Sequence, residues 1–220
     1  MRKWLDLTGK LENGMWNYGE PFSDIAIEQV ASVKTHGYEG HAFRLHSLAG
    51  TYLETANHLF ADREKLSDVS LERMVLRAWV AQLPDKAPLE PIRADELEAT
   101  VGAMLEPGDA LLIATGWDAH WNLPDYIEAC PFFEAGAMDW IVEHDVSLLG
   151  VDIPSIEDPR KTSGEMPLLT HYYAKDRLLA APLVCLREAG SGPWTLAILP
   201  LNIPDVCAAP CRAILFETSQ

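Results

Sequence analysis

The sequence predicts a mixed α/β fold built as one domain over residues 1–220, and three observations predict it. Residues 110–115 form a continuous apolar run, the pattern of a strand buried on both faces, and residues 147–153 read as a second buried strand. Between them, Ala137, Trp140 and Ile141 recur at helical spacing within residues 134–144. The order strand, turn, helix, strand implies a sheet covered by helices.

The remaining elements follow in chain order. Residues 5–8 read as a short strand, followed by turns at Asn13-Gly14 and Gly19-Glu20-Pro21. Residues 25–33 and 40–48 are two further strands. Residues 71–80 are rich in apolar side chains, and periodicity alone allows strand or helix. A helix starts near Ile92, with Asp95 and Glu96 in its first turn, and runs to about Leu105. Pro107-Gly108-Asp109 is a turn. Residues 196–201 and 213–216 close the chain as strands. The long polar connection over 155–167 is a place for functional loops.

Composition narrows the function. Nearly half of the 220 residues are apolar (48%), which excludes a disordered chain and suffices for a substantial core. No apolar run reaches the roughly 18 residues of a membrane helix. The start, Met1-Arg2-Lys3-Trp4-Leu5-Asp6, lacks a long apolar signal core, so a cytoplasmic location is expected. A formal charge of -16 disfavours nucleic acid and anionic membranes as partners. A small-molecule substrate is expected instead. The four cysteines, Cys130, Cys185, Cys207 and Cys211, lack the paired spacing of a zinc site and read as buried free thiols.

The strongest chemical signal is Leu48-Ala49-Gly50-Thr51-Tyr52-Leu53-Glu54-Thr55-Ala56-Asn57-His58. Glu54 and His58 are four residues apart and would face the same way on a helical turn. A carboxylate beside an imidazole raises its basicity and suits general base work, although such pairs are also common on inert helix surfaces. Tyr52 offers a hydroxyl to a developing oxyanion, or simply fills space. Trp16, Tyr18 and Trp117 suit an apolar pocket for an aromatic ring, and equally a core. Arg160, with Lys161, is a candidate for holding a substrate carboxylate. No phosphate-cradling loop, nucleotide fingerprint or nucleophile elbow is present.

The segment from Leu48 to His58 resembles the cyclase-family signature His-x-Gly-Thr-His-x-Asp-x-Pro-x-His, known from bacterial kynurenine formamidases and isatin hydrolases. Residues 107–117, ending in Thr115-Gly116-Trp117, and Gly150-Val151-Asp152-Ile153-Pro154-Ser155 are similar to two further family strands. Residues 197–201 and 209–213 resemble its C-terminal strands. The resemblance implies a compact mixed-sheet β/β/α domain of the swivelling type, a homodimer or higher homo-oligomer. It also implies hydrolysis of an amide, lactam or ester carbonyl in a small cyclic or aryl substrate, with His58 as acid and base.

The departures bear on the cofactor. Family metal ligands correspond here to Leu48, Tyr52 and Glu54, and a family Glu position falls near Ala180 and Ala181. Glu54 and His171 remain as candidate metal ligands, with His46 or Glu165 as substitutes. The expectation is one divalent metal, zinc or manganese, or none. Two other readings keep the scaffold: a metal-independent cyclase, dehydratase or isomerase, and a degenerate small-molecule-binding protein.

Overall fold

The computed structural model describes residues 3–161 and 164–217. Its first half contains strands β1 (Trp4–Asp6), β2 (Ala26–Ala31), β3 (Gly40–Arg44), β4 (Tyr52–Glu54), β5 (Val75–Gln82), β6 (Pro91–Ile92) and β7 (Ala110–Ala114), with helices α1 (Val33–His36) and α2 (Ala94–Leu97). The second half contains β8 (Phe132–Phe133), α3 (Ala135–Glu143), β9 (Leu148–Val151), α4 (Pro167–Tyr173), β10 (Leu178–Ala181), β11 (Trp194–Pro200) and β12 (Ala208–Phe216). Among the described residues no helix is long and apolar enough to cross a membrane.

One large sheet runs β1-β12-β11-β5-β7-β9-β10-β4, and β4 pairs back onto β12. That last pairing closes the strands from β4 to β12 into a barrel-like ring, with β1 attached outside it. The long β12 makes the closure possible. Ala208–Pro210 pair with β4, and Cys211–Phe216 pair with β11. Pro210, which has no N–H to donate, stands at the changeover between the two partners.

Alternation along the strands divides the apolar residues between two cores. On β7, Leu111 and Ile113 join a core with α3 and α4, whereas Ala110, Leu112 and Ala114 face the ring interior. On β4, Leu53 points inward, and Tyr52 and Glu54 point to the helix-covered face, as the two-residue period requires. The central parallel strands β7 and β9 are buried on both faces, which explains their continuous apolar runs in the sequence.

Several expected boundaries move. Residues 71–80 divide into a 3-10 turn (Leu71–Arg73) and then β5, which explains their mixed pattern. The expected strand 40–48 ends at Arg44. The helix expected to reach Leu105 passes from α2 into a π-helical turn over Glu98–Gly102 and stops there. β10 was not foreseen, and the first third of β12 was expected only from the resemblance of residues 209–213. Short Ala-containing stretches have little intrinsic strand preference, and tertiary pairing with β4, and with β9 for β10, makes them strands. Thr162 and Ser163, within the expected functional loop, lie outside the described residues. Apart from the ring, β2 and β3 form a two-stranded arm that leaves Val30, Val33, Tyr38 and Phe43 exposed.

The ring interior is packed tightly at one point that can be tested. Leu112 on β7 lies opposite Gly150 on β9, and a Cβ at Gly150 would sit 2.3 Å from Leu112 Cδ2. Leu112→Ala is expected to destabilise the fold by about 2–5 kcal/mol. Gly150→Ala alone should cost about 1–3 kcal/mol through overpacking. In urea unfolding the double variant should lose less than the sum, because the smaller Leu112 replacement makes room for the new methyl.

Candidate functional site

The site is assembled by the turn that feeds β4 and the turn that leaves it. Gly50 adopts a positive φ of 61°, and a Cβ there would meet Leu11 Cδ2 at 2.6 Å. Thr51 is buried. Its hydroxyl donates to Pro182 O (2.6 Å) and accepts from Gly9 N (2.9 Å), tying three segments together. The Gly-Thr pair of the motif is therefore structural. After β4, the Thr55 hydroxyl accepts from Asn57 N and opens a 3-10 turn, Ala56–His58. The Asn57 amide donates to the carbonyls of Phe60, Ala61 and Arg63, which fixes the following loop.

These turns bring Glu54 Oε2 to 3.4 Å from His58 Nδ1. The contact was expected from helical spacing. It arises instead where a strand ends and a 3-10 turn begins. Glu54 is almost fully buried, and its Oε1 is 2.6 Å from the Tyr173 hydroxyl, which donates to it. Burial outweighs that hydrogen bond and pushes the carboxyl up to about 8. Burial also lowers the His58 pKa. Both groups therefore favour their neutral forms near pH 7. Cys207 Sγ lies 3.8 Å from the same His58 nitrogen, and burial raises its thiol pKa. Both contacts run through Nδ1. Nε2 makes no hydrogen bond among the described residues, and the side chain is 21% exposed.

Tyr52, on the same strand face as Glu54, has its hydroxyl 3.2 Å from that of Tyr18, which donates in turn to Pro154 O (2.9 Å). Pro154 follows Asp152, a buried carboxyl that accepts from Thr115 N, Thr115 Oγ1 and Gly116 N and so locks the ends of β7 and β9 together. Tyr18 and Trp16 line a cavity of about 610 Å³ with Met15, Leu123, Tyr126 and Ile127. The buried Tyr126 hydroxyl and Trp16 Nε1 have no hydrogen-bond partner among the described residues. Cavities of roughly 300–1,000 Å³ with a few polar atoms among aromatic rings suit small organic ligands.

The structure thus brings together Tyr18, Tyr52, Glu54 and His58, with Trp16 on the cavity wall. Three expected residues lie elsewhere. Trp117 is in the core: it is 1% exposed, its indole N–H donates to Tyr126 O, and its ring stacks on His120. Arg160 is held by both oxygens of Asp158 and lies over the Phe132 ring, so its guanidinium is already occupied. His171 is exposed on α4 and pairs with Asp139 at 3.1 Å. On a helix, residues two apart point about 200° away from each other, so Tyr173 reaching Glu54 turns His171 outward. His46 is packed against Phe22, and neither ring nitrogen has a hydrogen-bond partner among the described residues. Glu165 lies exposed. Sequence reasoning missed Tyr173, Tyr126 and the position of Cys207 beside His58.

A metal site needs at least three protein donors. Among the described residues, no three His, Cys, Asp or Glu side chains are grouped to hold a metal ion. The strand register shows why. The positions across from Tyr52 and Glu54 are Ala181 and Leu179 on β10, and Pro210 and Ala208 on β12. Leu48 is buried and apolar. The donor set does not fit a metal pair.

Comparison with known proteins places this geometry. Residues 5–158 match the family described as "Putative cyclase". The chain belongs to the cyclase family. A kynurenine formamidase of Bacillus cereus is 26% identical over 220 residues, covering 97% of each chain. Isatin hydrolase A from Ralstonia solanacearum superposes with a TM-score of 0.84 at 16% identity, covering 99% of this chain and 92% of its own. A Bacillus stearothermophilus protein described as a "predicted metal-dependent hydrolase" gives a TM-score of 0.78 at 16% identity, covering 99% of this chain and all of its own. These likenesses bear out the expected mixed α/β fold of the family.

The buried carboxyl sets a pH dependence of stability. Glu54 titrates near its ordinary value of 4.5 when unfolded and at about 8 when folded. Between those values the folded state holds the extra proton, so stability falls as pH rises through that window and levels off above it. In thermal unfolding from pH 5 to pH 9, Glu54→Gln should show a shallower decline in Tm than the parent. An unchanged slope would mean that Glu54 is ionised in the fold.

Proposed function

We propose that this cyclase-family protein is a hydrolase that cleaves an amide, lactam or ester bond in a small aryl or cyclic substrate, with His58 as acid and base. The observation that carries the reading is the imidazole anchored at Nδ1 beside buried Glu54, with Nε2 left for the reacting groups. Similarity to kynurenine formamidases and to the isatin hydrolase fold supports the bond class. Water adds to the carbonyl carbon while Nε2 takes its proton. The tetrahedral intermediate collapses, the bond to the leaving nitrogen or oxygen breaks, and Nε2 returns the proton to that atom. Glu54, in contact with Nδ1, sets the orientation of the ring between the two transfers.

His58→Ala should fold normally and lose about 100- to 10,000-fold in turnover of isatin or formanilide, the aryl lactam and formamide probes. Undiminished turnover would remove His58 from the chemistry.

The same reading makes the enzyme cytoplasmic, acting on a small molecule, with neither nucleic acid nor membrane as partner. The charge of -16 supports this. It also makes the protein a homodimer or higher homo-oligomer, and the exposed side chains of the β2–β3 arm are its contact. Phe43 is 67% exposed there. Light scattering of Phe43→Asp should show a shift toward the monomer. An unchanged mass would exclude the arm as the contact.

A further inference from the structure

We infer that this enzyme works without a bound metal, and that a buried network of three tyrosine hydroxyls and one carboxyl occupies the place of a metal site. The inference rests on the hydrolase reading for its chemistry, and on the strand register for its geometry.

Two kinds of replacement make the case. The first is loss of donors. On both sides of β4, the ladder neighbours of Tyr52 and Glu54 are Ala181, Leu179, Pro210 and Ala208, none of which has a side chain that can coordinate. The second is commitment of what remains. Tyr173 binds one oxygen of Glu54, and the other faces His58. Tyr52 and Tyr18 are bonded to each other, and Tyr18 to Pro154 O. The next buried carboxyl, Asp152, is occupied by three donors from Thr115 and Gly116. A dication here would meet one carboxyl, the His58 nitrogen and the Cys207 thiol beside hydroxyls that are already paired, and among the described residues no three such donors are grouped to hold it.

The network can perform the task a Lewis acid performs. Tyr18 reaches the cavity wall, backed by Tyr52. A substrate carbonyl placed there takes the Tyr18 hydrogen bond in exchange for Pro154 O, and the oxyanion formed by water addition is stabilised by a fixed dipole. Nε2 of His58 takes the proton of water and delivers it to the leaving nitrogen. Water is the only co-reactant, and acid and amine are the products.

The test uses full-length protein purified without chelator. Elemental analysis and calorimetry with zinc chloride and with manganese chloride should show no stoichiometric metal. Hydrolysis of isatin and formanilide should be unaffected by EDTA. Tyr18→Phe should lower kcat about 100-fold with little change in KM, since the lost bond is made to the oxyanion, and added zinc should not restore it. One tightly held metal per chain, or activity abolished by EDTA and restored by metal, would overturn the inference. Full kcat in a folded Tyr18→Phe variant would overturn the role of the network. If neither probe is hydrolysed by the parent, the substrate reading fails, and calorimetry still decides the metal question.

Discussion

A carboxyl group buried in the wall of a closed sheet must be neutral, hydrogen bonded or paired, and the surroundings of Glu54 are organised by that requirement. Sheet closure creates the problem: β10 and β12 flank β4 on both sides, so no edge is left through which water can reach Glu54. Tyr173, carried by α4, meets one oxygen, and the 3-10 turn after Thr55 swings His58 toward the other. The position of α4, the phase of its residues and the orientation of the imidazole all follow from partnering this one group.

The same arrangement separates scaffold from chemistry within a short stretch of chain. Gly50 and Thr51 shape the approach to β4. Asn57 fixes the loop beyond it. Tyr52 and Glu54 face the helix-covered side, where Tyr52 is bonded to Tyr18 on the cavity wall. Because the scaffold residues hold the backbone independently of any ligand, the chemical positions can change while the segment keeps its course. Tyr52 illustrates this: its ring fills the space, and its hydroxyl joins Tyr18 in a local network.

Much of this was legible in the sequence, and the failures have physical causes. Strands β7 and β9 and helix α3 follow from apolar patterning, because the two faces of a covered parallel sheet leave a plain signature. The motif segment located Tyr52, Glu54 and His58. Their contact, however, was expected from a helical repeat that does not exist. Glu54 and His58 meet because Thr55 ends a strand and caps a turn. His171 was expected in the site because it follows the motif order. Helical phase turns it toward Asp139 and gives its neighbour Tyr173 the inward position. Cys207 and Tyr126 reach the site only through tertiary pairing, Cys207 by standing at the head of β12 and Tyr126 by packing on Trp16. No local pattern records either.

The pairing of β12 with β1, β4 and β11 has a consequence for synthesis. Asp6 lies opposite Ile214, and Glu54 lies opposite Ala208, so the first and last segments of the chain are bonded to one another. As the polypeptide leaves the ribosome, β4 waits with one edge unpaired and β1 has no partner at all until the last residues emerge. Contacts of such long sequence separation form slowly, and the open edge is a site for unwanted strand pairing in the interval. At roughly 5–20 residues per second the wait is several seconds or longer. A ribosome that stalls before residue 208 therefore leaves a chain whose ring stays open beside Glu54, a form suited to capture by chaperones rather than to function.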